Sequence, residues 1–126
     1  MAHFTKMKKY IVLYIADPEE LASMMKDFSS EESNQGMEVW NTWNEAHKDV
    51  IVDLGTPLGK TKTLTKDGTT DTKNGNVGYT IVHADSLDAA AEIFEEHPHI
   101  NMMPNINKMP SSRIDVMECV DMTKNK

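Results

Sequence analysis

A single cysteine, Cys119, is all that 126 residues contain, so no disulfide framework can hold this chain together from within. No apolar run approaches the roughly 18 residues that cross a bilayer. The glycines are scattered and form no phosphate-binding loop, and there is neither a nucleophile elbow nor a dinucleotide fingerprint. Basic residues are also scarce: 13 Lys and Arg stand against 20 Asp and Glu, for a formal charge of -7. A field of that sign repels phosphate backbones and anionic lipid, so neither nucleic acid nor a membrane surface is an expected partner. The one basic cluster, Lys6, Lys8 and Lys9, reads as the solvated entry to a strand. The first nine residues carry charge but no hydrophobic stretch leading to a small-residue cleavage site. With the solitary cysteine, this makes the cytoplasm the expected compartment.

What is present suffices for one folded domain. At 14.2 kDa, with 39% hydrophobic and 26% charged residues, the chain reads as a single unit over 1–126, its core at about 8–122 and its ends flexible. Tyr10 to Ile15 is a β-branched and aromatic run of strand length, apolar on both faces, and Asp17-Pro18 stops it. Asp17 is placed to cap a short helix carrying Leu21, Met24, Met25 and Phe28. Ser29 and Glu32 form a capping box for a longer helix reaching about His47. A second strand spans Val50 to Leu54, and 60–76, rich in Thr and Lys, reads as an exposed β-hairpin turning at Asp67-Gly68. Val77 to Ala84 is the third core strand. Asp85-Ser86 caps a helix with Leu87, Ala90, Ala91 and Phe94 on its apolar face, closed by Pro98. Arg113 to Val120 alternates as the last strand.

Strand, helices, strand, strand, helix, strand is the order of a split βαβ fold. The fold class is therefore α+β, a ferredoxin-like βαββαβ antiparallel sheet with helices on one face. The other sheet face ought to be polar if it met water, yet the first strand is apolar on both sides. With no further helix available, a second copy of the chain is the economical cover, and a homodimer with a barrel-like interior is expected.

Several short stretches together resemble the YCII-related (DGPF-domain) family over about Lys8 to Met122. They are Lys9-Tyr-Ile-Val-Leu-Tyr14, the pair Trp40 and Trp43, Val52-Asp-Leu-Gly-Thr-Pro-Leu-Gly59, Asp67-Gly68, Gly78-Tyr-Thr-Ile81, Ala84 to Ala91, and His97-Pro-His99. The resemblance implies a dimeric α+β barrel and, in better-known relatives, a pocket His paired with an Asp. This chain departs from them at those points. It has Gly36-Met-Glu38 where they carry the histidine, His97 where some carry the aspartate, and Asp67-Gly-Thr-Thr70 for the namesake motif.

Two constellations offer chemistry. Met37, Trp40, Trp43, Asn44 and His47 fall on or near one helix stripe. Trp40, Trp43 and Asn44 are ligand-binding candidates that would wall and orient a small molecule, with His47 as an acid–base group. The bland alternative is a core-facing helix whose indoles pack on the sheet. His97 and His99 flank Pro98 and could shuttle protons or contact a ligand, with His99 the better placed because the proline turns the chain back toward the sheet. A metal would need a third ligand from His47, Asp53 or His83. The spacing matches no strong zinc pattern, so neither metal nor cofactor is expected. Asp53 lies mid-strand on the face of Ile51, and either lines a pocket for acid–base work or meets solvent near the strand end. Ten methionines read mainly as gap fillers, among them Met102, Met103 and Met109, and Cys119 reads as a buried, inert thiol. The chemistry with fewest parts is a small-molecule-binding dimer, extended to cofactor-independent proton transfer if it is an enzyme. A non-catalytic sensor or interaction scaffold is the alternative.

Overall fold

The computed structural model describes residues 8–20, 22, 30–100 and 112–122. Six strands and two helices follow in the order β1 (Lys8–Ile15), α1 (Ser30–Ala46), β2 (Ile51–Asp53), β3 (Thr61–Thr65), β4 (Gly68–Thr72), β5 (Asn76–Ala84), α2 (Leu87–Ile93) and β6 (Arg113–Glu118). Residues 18–20 and 22 are also helical, and the backbone N–H groups of Glu19 and Glu20 bond Asp17 Oδ1 at 2.8 and 3.2 Å, so Asp17 is the cap its position suggested. Ser29, the first residue of the expected capping box, lies outside the described residues, as does the Met102 to Pro110 loop.

The result is a mixed α+β protein with antiparallel sheets. One sheet has four strands in the order β2-β5-β1-β6, and the β3–β4 hairpin forms a second, two-stranded sheet. β1 is the central strand that β5 and β6 flank, both antiparallel. Its side chains alternate. Tyr10, Val12 and Tyr14 point into the core beside Val82 and Ala84 of β5, Trp43 of α1, and Ala90 and Phe94 of α2. Both helices therefore cover the same sheet face. Ile114 and Val116 of β6 pack there as well, as their register opposite Tyr14 and Val12 requires.

The other face of the sheet carries Ile11, Leu13, Tyr79, Ile81 and Met117. Register pairs Ile11 with Ile81 on one side and Met117 on the other, and Leu13 with Tyr79. All are half-buried except Met117, which is exposed.

Four expectations change. On α2, which starts at Leu87 as expected, the buried stripe is Ala90 and Phe94 flanked by Ala89 and Ile93, while Leu87 and Ala91 are exposed, so the face turned to the sheet is rotated from the expected one. Ser86 Oγ accepts the Ala89 N–H at 3.0 Å as its cap, and the helix ends at Ile93, before Pro98 is reached. Met37, one turn before Trp40, is 64% exposed, so contact between α1 and the core begins at Trp40. Cys119 is exposed rather than buried: β6 stops at Glu118, and only the Cys119 backbone N–H remains tied, to Lys9 O at 2.9 Å.

The turn leaving β2 depends on Gly55. Its φ of +78° is the left-handed region, and a Cβ there would stand 1.8 Å from the Tyr79 carbonyl oxygen. Gly68, on the hairpin, also has positive φ (+137°) but open space around it. Gly55→Ala should therefore cost about 3 kcal/mol or more, from strain and clash together, and Gly68→Ala about 1 kcal/mol from strain alone. Urea unfolding of the two variants checks this, and equal losses would refute the steric assignment.

Candidate functional site

The densest chemistry in the structure lies beneath the helices, where β1, α1 and the turn after α2 meet. Tyr14 sits next to the end of β1. Its ring stacks on His97 at 4.8 Å, meets Trp40 edge-on at 5.1 Å, and lies 5.6 Å from His99. Trp40 and Trp43 approach His97 from α1 at 4.5 and 4.4 Å, both in T-shaped geometry. Phe94 closes the fourth side, 5.6 Å from His97. His97 is thus an imidazole with no solvent exposure at all, ringed by aromatic side chains.

The hydrogen bonds fix where the protons are. Thr80 Oγ1 donates to the Leu54 carbonyl at 3.0 Å, which uses its only hydrogen. The 2.7 Å contact between Tyr14 and Thr80 must then run from the Tyr14 O–H to the Thr80 oxygen. Burial raises the Tyr14 phenol to about 12, so it stays protonated as a structural donor. His99 donates its ring Nε2–H to the Ile15 carbonyl at 2.9 Å, and its backbone N–H to Nδ1 of His97, also at 2.9 Å. Burial lowers the pKa of His99, opposed by the Ile15 and Arg113 carbonyls, which favour the protonated ring.

His97 is the more extreme case. Burial first, then the nearby His99 and His47 rings, push it down from 6.5 to about 3, so it is neutral at physiological pH. A neutral imidazole has one N–H. Because Nδ1 accepts from His99, the proton sits on Nε2. That Nε2 is buried and has no hydrogen-bond partner among the described residues, and the same holds for Nε1 of Trp43. Both are donors, and buried donors without acceptors are rare. Ser112 Oγ, preceding Arg113, is a third buried polar atom without a partner.

The candidates named from sequence divide clearly. Trp40, Trp43, His97 and His99 come together in this cluster. His47 joins at its edge: its ring stacks on Trp43 at 4.1 Å, and its Nδ1–H donates to the Trp43 carbonyl at 2.8 Å, at the C-terminal end of α1. Asn44 is half-buried on the same helix. Of the two histidines around Pro98, His97 rather than His99 has the free ring nitrogen, because the turn aims the His99 ring at the backbone of Ile15.

Asp53 stands apart. It is exposed, bonds the Gly55 N–H at 2.9 Å, and accepts from the Tyr79 hydroxyl at 3.4 Å. It does not share the face of Ile51, because the pairing of β2 with β5 shifts register between Ile51 and Asp53 and turns the carboxylate to the Tyr79 side. Of its two sequence readings, the solvent-facing one describes it. No group of three His, Cys, Asp or Glu among the described residues is arranged to hold a metal ion.

Tyr14, Thr80 and Phe94 were not among the sequence candidates. A tyrosine on the inward face of a strand has a hydroxyl that needs a partner, and Thr80, on the neighbouring strand, was the available one; that signal was readable. The position of Phe94 against His97 depends on the turn after α2 and was not.

No family model matches the chain, and no curated protein matches it. No helix among the described residues is long and apolar enough to cross a membrane.

The neutral state of His97 makes stability depend on pH. Its pKa in the fold lies below its unfolded value, so the stabilisation is complete above about pH 6.5 and is lost as pH falls toward about 3. His99 shifts in the same direction and adds to the loss. Between pH 6 and pH 4.5 the unfolding free energy should fall by about 1.4 kcal/mol per pH unit for His97 alone. Chemical denaturation across this range should show a shallower slope in His97→Phe; an unchanged slope would refute the assignment.

Proposed function

We propose that the protein is a homodimeric small-molecule-binding protein whose ligand site is the aromatic cluster around His97. The observation that carries this reading is the completely buried, neutral His97 ring with one nitrogen engaged by the fold and the other left without a partner among the described residues. A site of aromatic walls with a few fixed polar groups is what small-molecule pockets commonly present. Binding requires nothing beyond the residues described. An enzymatic form would use His97, with His47 beside Trp43, for proton transfer without a cofactor; Asp53, on the Tyr79 side of the sheet, lies apart from this cluster. The cytoplasm remains the proposed compartment, on the strength of the lone cysteine.

The scaffold reading is ferredoxin-like, with the YCII-related family as the proposed relationship. The strand order β2-β5-β1-β6 with both helices on one face supports it, as do the sequence stretches that carry the resemblance. The homodimer is proposed to form through the open sheet face, where Ile11, Leu13, Tyr79, Ile81 and Met117 make an apolar strip that a monomer would leave partly wet. A specific observation favours a second reading, an interaction scaffold. The β3–β4 hairpin is exposed along nearly its whole length and presents Leu64 at 73% exposure.

Two measurements test these proposals. A thermal-shift screen against a metabolite library should give saturable stabilisation in wild type, weakened in Trp43→Phe and His97→Phe, since a ligand of the native state alone raises its stability. Hits that persist unchanged in both variants would move the site elsewhere, and a screen without hits would favour the scaffold. In sedimentation velocity, wild type should run at about twice 14.2 kDa and Ile11→Glu as a monomer. A monomeric wild type would end the dimer proposal.

A further inference from the structure

The ligand site of the preceding proposal has a definite chemical sense, because both of its unpaired groups are donors. Nδ1 of His97 accepts the His99 N–H, which places the ring proton on Nε2. Trp43 Nε1 carries a hydrogen in every state. Both side chains are more than nine-tenths buried, and their rings lie 4.4 Å apart, within the span of one small compound. Among the described residues, the surrounding groups offer the pair no acceptor. Tyr14 gives its hydrogen to Thr80, His99 gives its ring N–H to Ile15, and the faces of Trp40, Phe94 and Tyr14 are weak acceptors only.

The charge around the pair matters as much as its hydrogens. Among the described residues, Tyr14, Trp40, Trp43 and Phe94 present aromatic rings to His97, and its titratable neighbours are the imidazoles of His99 and His47. The nearest full charges along the chain are Glu95 and Glu96, exposed on the turn before His97. A carboxylate or phosphate entering this site would lose its water and meet two neutral dipoles, inside a protein of net charge -7. A carbonyl or amide oxygen meets the same two donors at far smaller desolvation cost.

We propose that His97 Nε2–H and Trp43 Nε1–H form a donor pair for the oxygen of an uncharged carbonyl or amide compound, whose apolar body lies against the rings of Trp40 and Tyr14. This rests on the reading of the cluster as a ligand site and specifies what that site accepts.

The test is nuclear magnetic resonance on the ¹⁵N-labelled full chain at neutral pH. The ring nitrogens of His97 should report a protonated Nε2 and a bare Nδ1; the opposite tautomer, or an imidazolium, overturns the donor pair. The protein is then titrated with two matched probe pairs, N-methylacetamide against acetate and cyclohexanone against cyclohexanecarboxylate. The neutral member of at least one pair should shift both the His97 and the Trp43 N–H signals saturably, and bind roughly tenfold or more tighter than its anion. Tighter binding of the anion would leave the ligand site standing and overturn its preference for uncharged oxygen. If no probe moves either N–H, the ring faces satisfy them and both the donor pair and the ligand site fall. Trp43→Phe, which keeps the aromatic wall and removes one donor, should weaken the neutral probe roughly tenfold. The wild-type titration decides the matter even if that variant does not fold.

Discussion

Burial of an imidazole in a site that offers it no charge partner is the constraint on which the rest of this structure turns. His97 has no exposure, and burial together with the nearby His99 and His47 disfavours an ionised ring there. The ring must therefore be neutral, and once neutral it has one donor and one acceptor. The backbone of His99 takes the acceptor. Everything else about the cluster follows from which elements are close enough to surround that ring: Tyr14 from the central strand, Trp40 and Trp43 from α1, Phe94 from the end of α2.

The sheet register makes this convergence possible. Tyr14 is set opposite Gly78 on one side and Ile114 on the other, so its ring rises from the middle of the sheet with a residue lacking a side chain beside it. Two positions along from the Gly78 pairing, Thr80 of β5 reaches the Tyr14 hydroxyl and donates its own hydrogen to Leu54, binding β1, β5 and the end of β2 through one short relay. The turn that brings Leu54 there runs through Gly55, where the backbone lies against the Tyr79 carbonyl too closely for any side chain. A polar relay and a glycine contact at the sheet thus hold the floor on which the aromatic cluster stands.

Much of this architecture was legible in the chain. The strands of the antiparallel sheet and the grouping of Tyr10, Val12 and Tyr14 on one face of β1 followed from period-two patterning, the Asp17 and Ser86 caps from residue type, and the hairpin from its lack of anything to bury; which face of β1 turns inward did not. Of the site, the helix stripe of Trp40, Trp43 and His47 and the His97-Pro-His99 segment were visible as separate features. Their meeting was not, because it depends on the path of a turn rather than on spacing. Asp53 shows the opposite failure. Alternation placed it with Ile51, and a register shift in a three-residue strand was enough to move it to the other face. Cys119 fails for a related reason, since alternation says nothing about where a terminal strand stops.

The choice of residue at position 97 is itself informative. The turn across Pro98 leaves the His99 N–H in need of an acceptor, and the Nδ1 atom of His97 supplies it. Asp and Asn do the same two residues back in many turns, with a smaller side chain. Asn76 and Gly55 in this chain are bonded in that way, by Asn74 and Asp53. A phenyl ring would fill the space between Tyr14 and the two indoles as well as an imidazole does. Histidine alone satisfies both demands, but it also brings a second N–H that neither demand explains, into a position where leaving it unpaired costs about 1–3 kcal/mol. Trp43 repeats the pattern: its ring is accounted for by packing against Phe94 and His47, while its Nε1–H is not. Two unpaired donors on adjoining rings, in a cluster where the Tyr14 and Thr80 hydroxyls and the His99 ring N–H are bonded, are better understood as one site for an acceptor than as two independent defects.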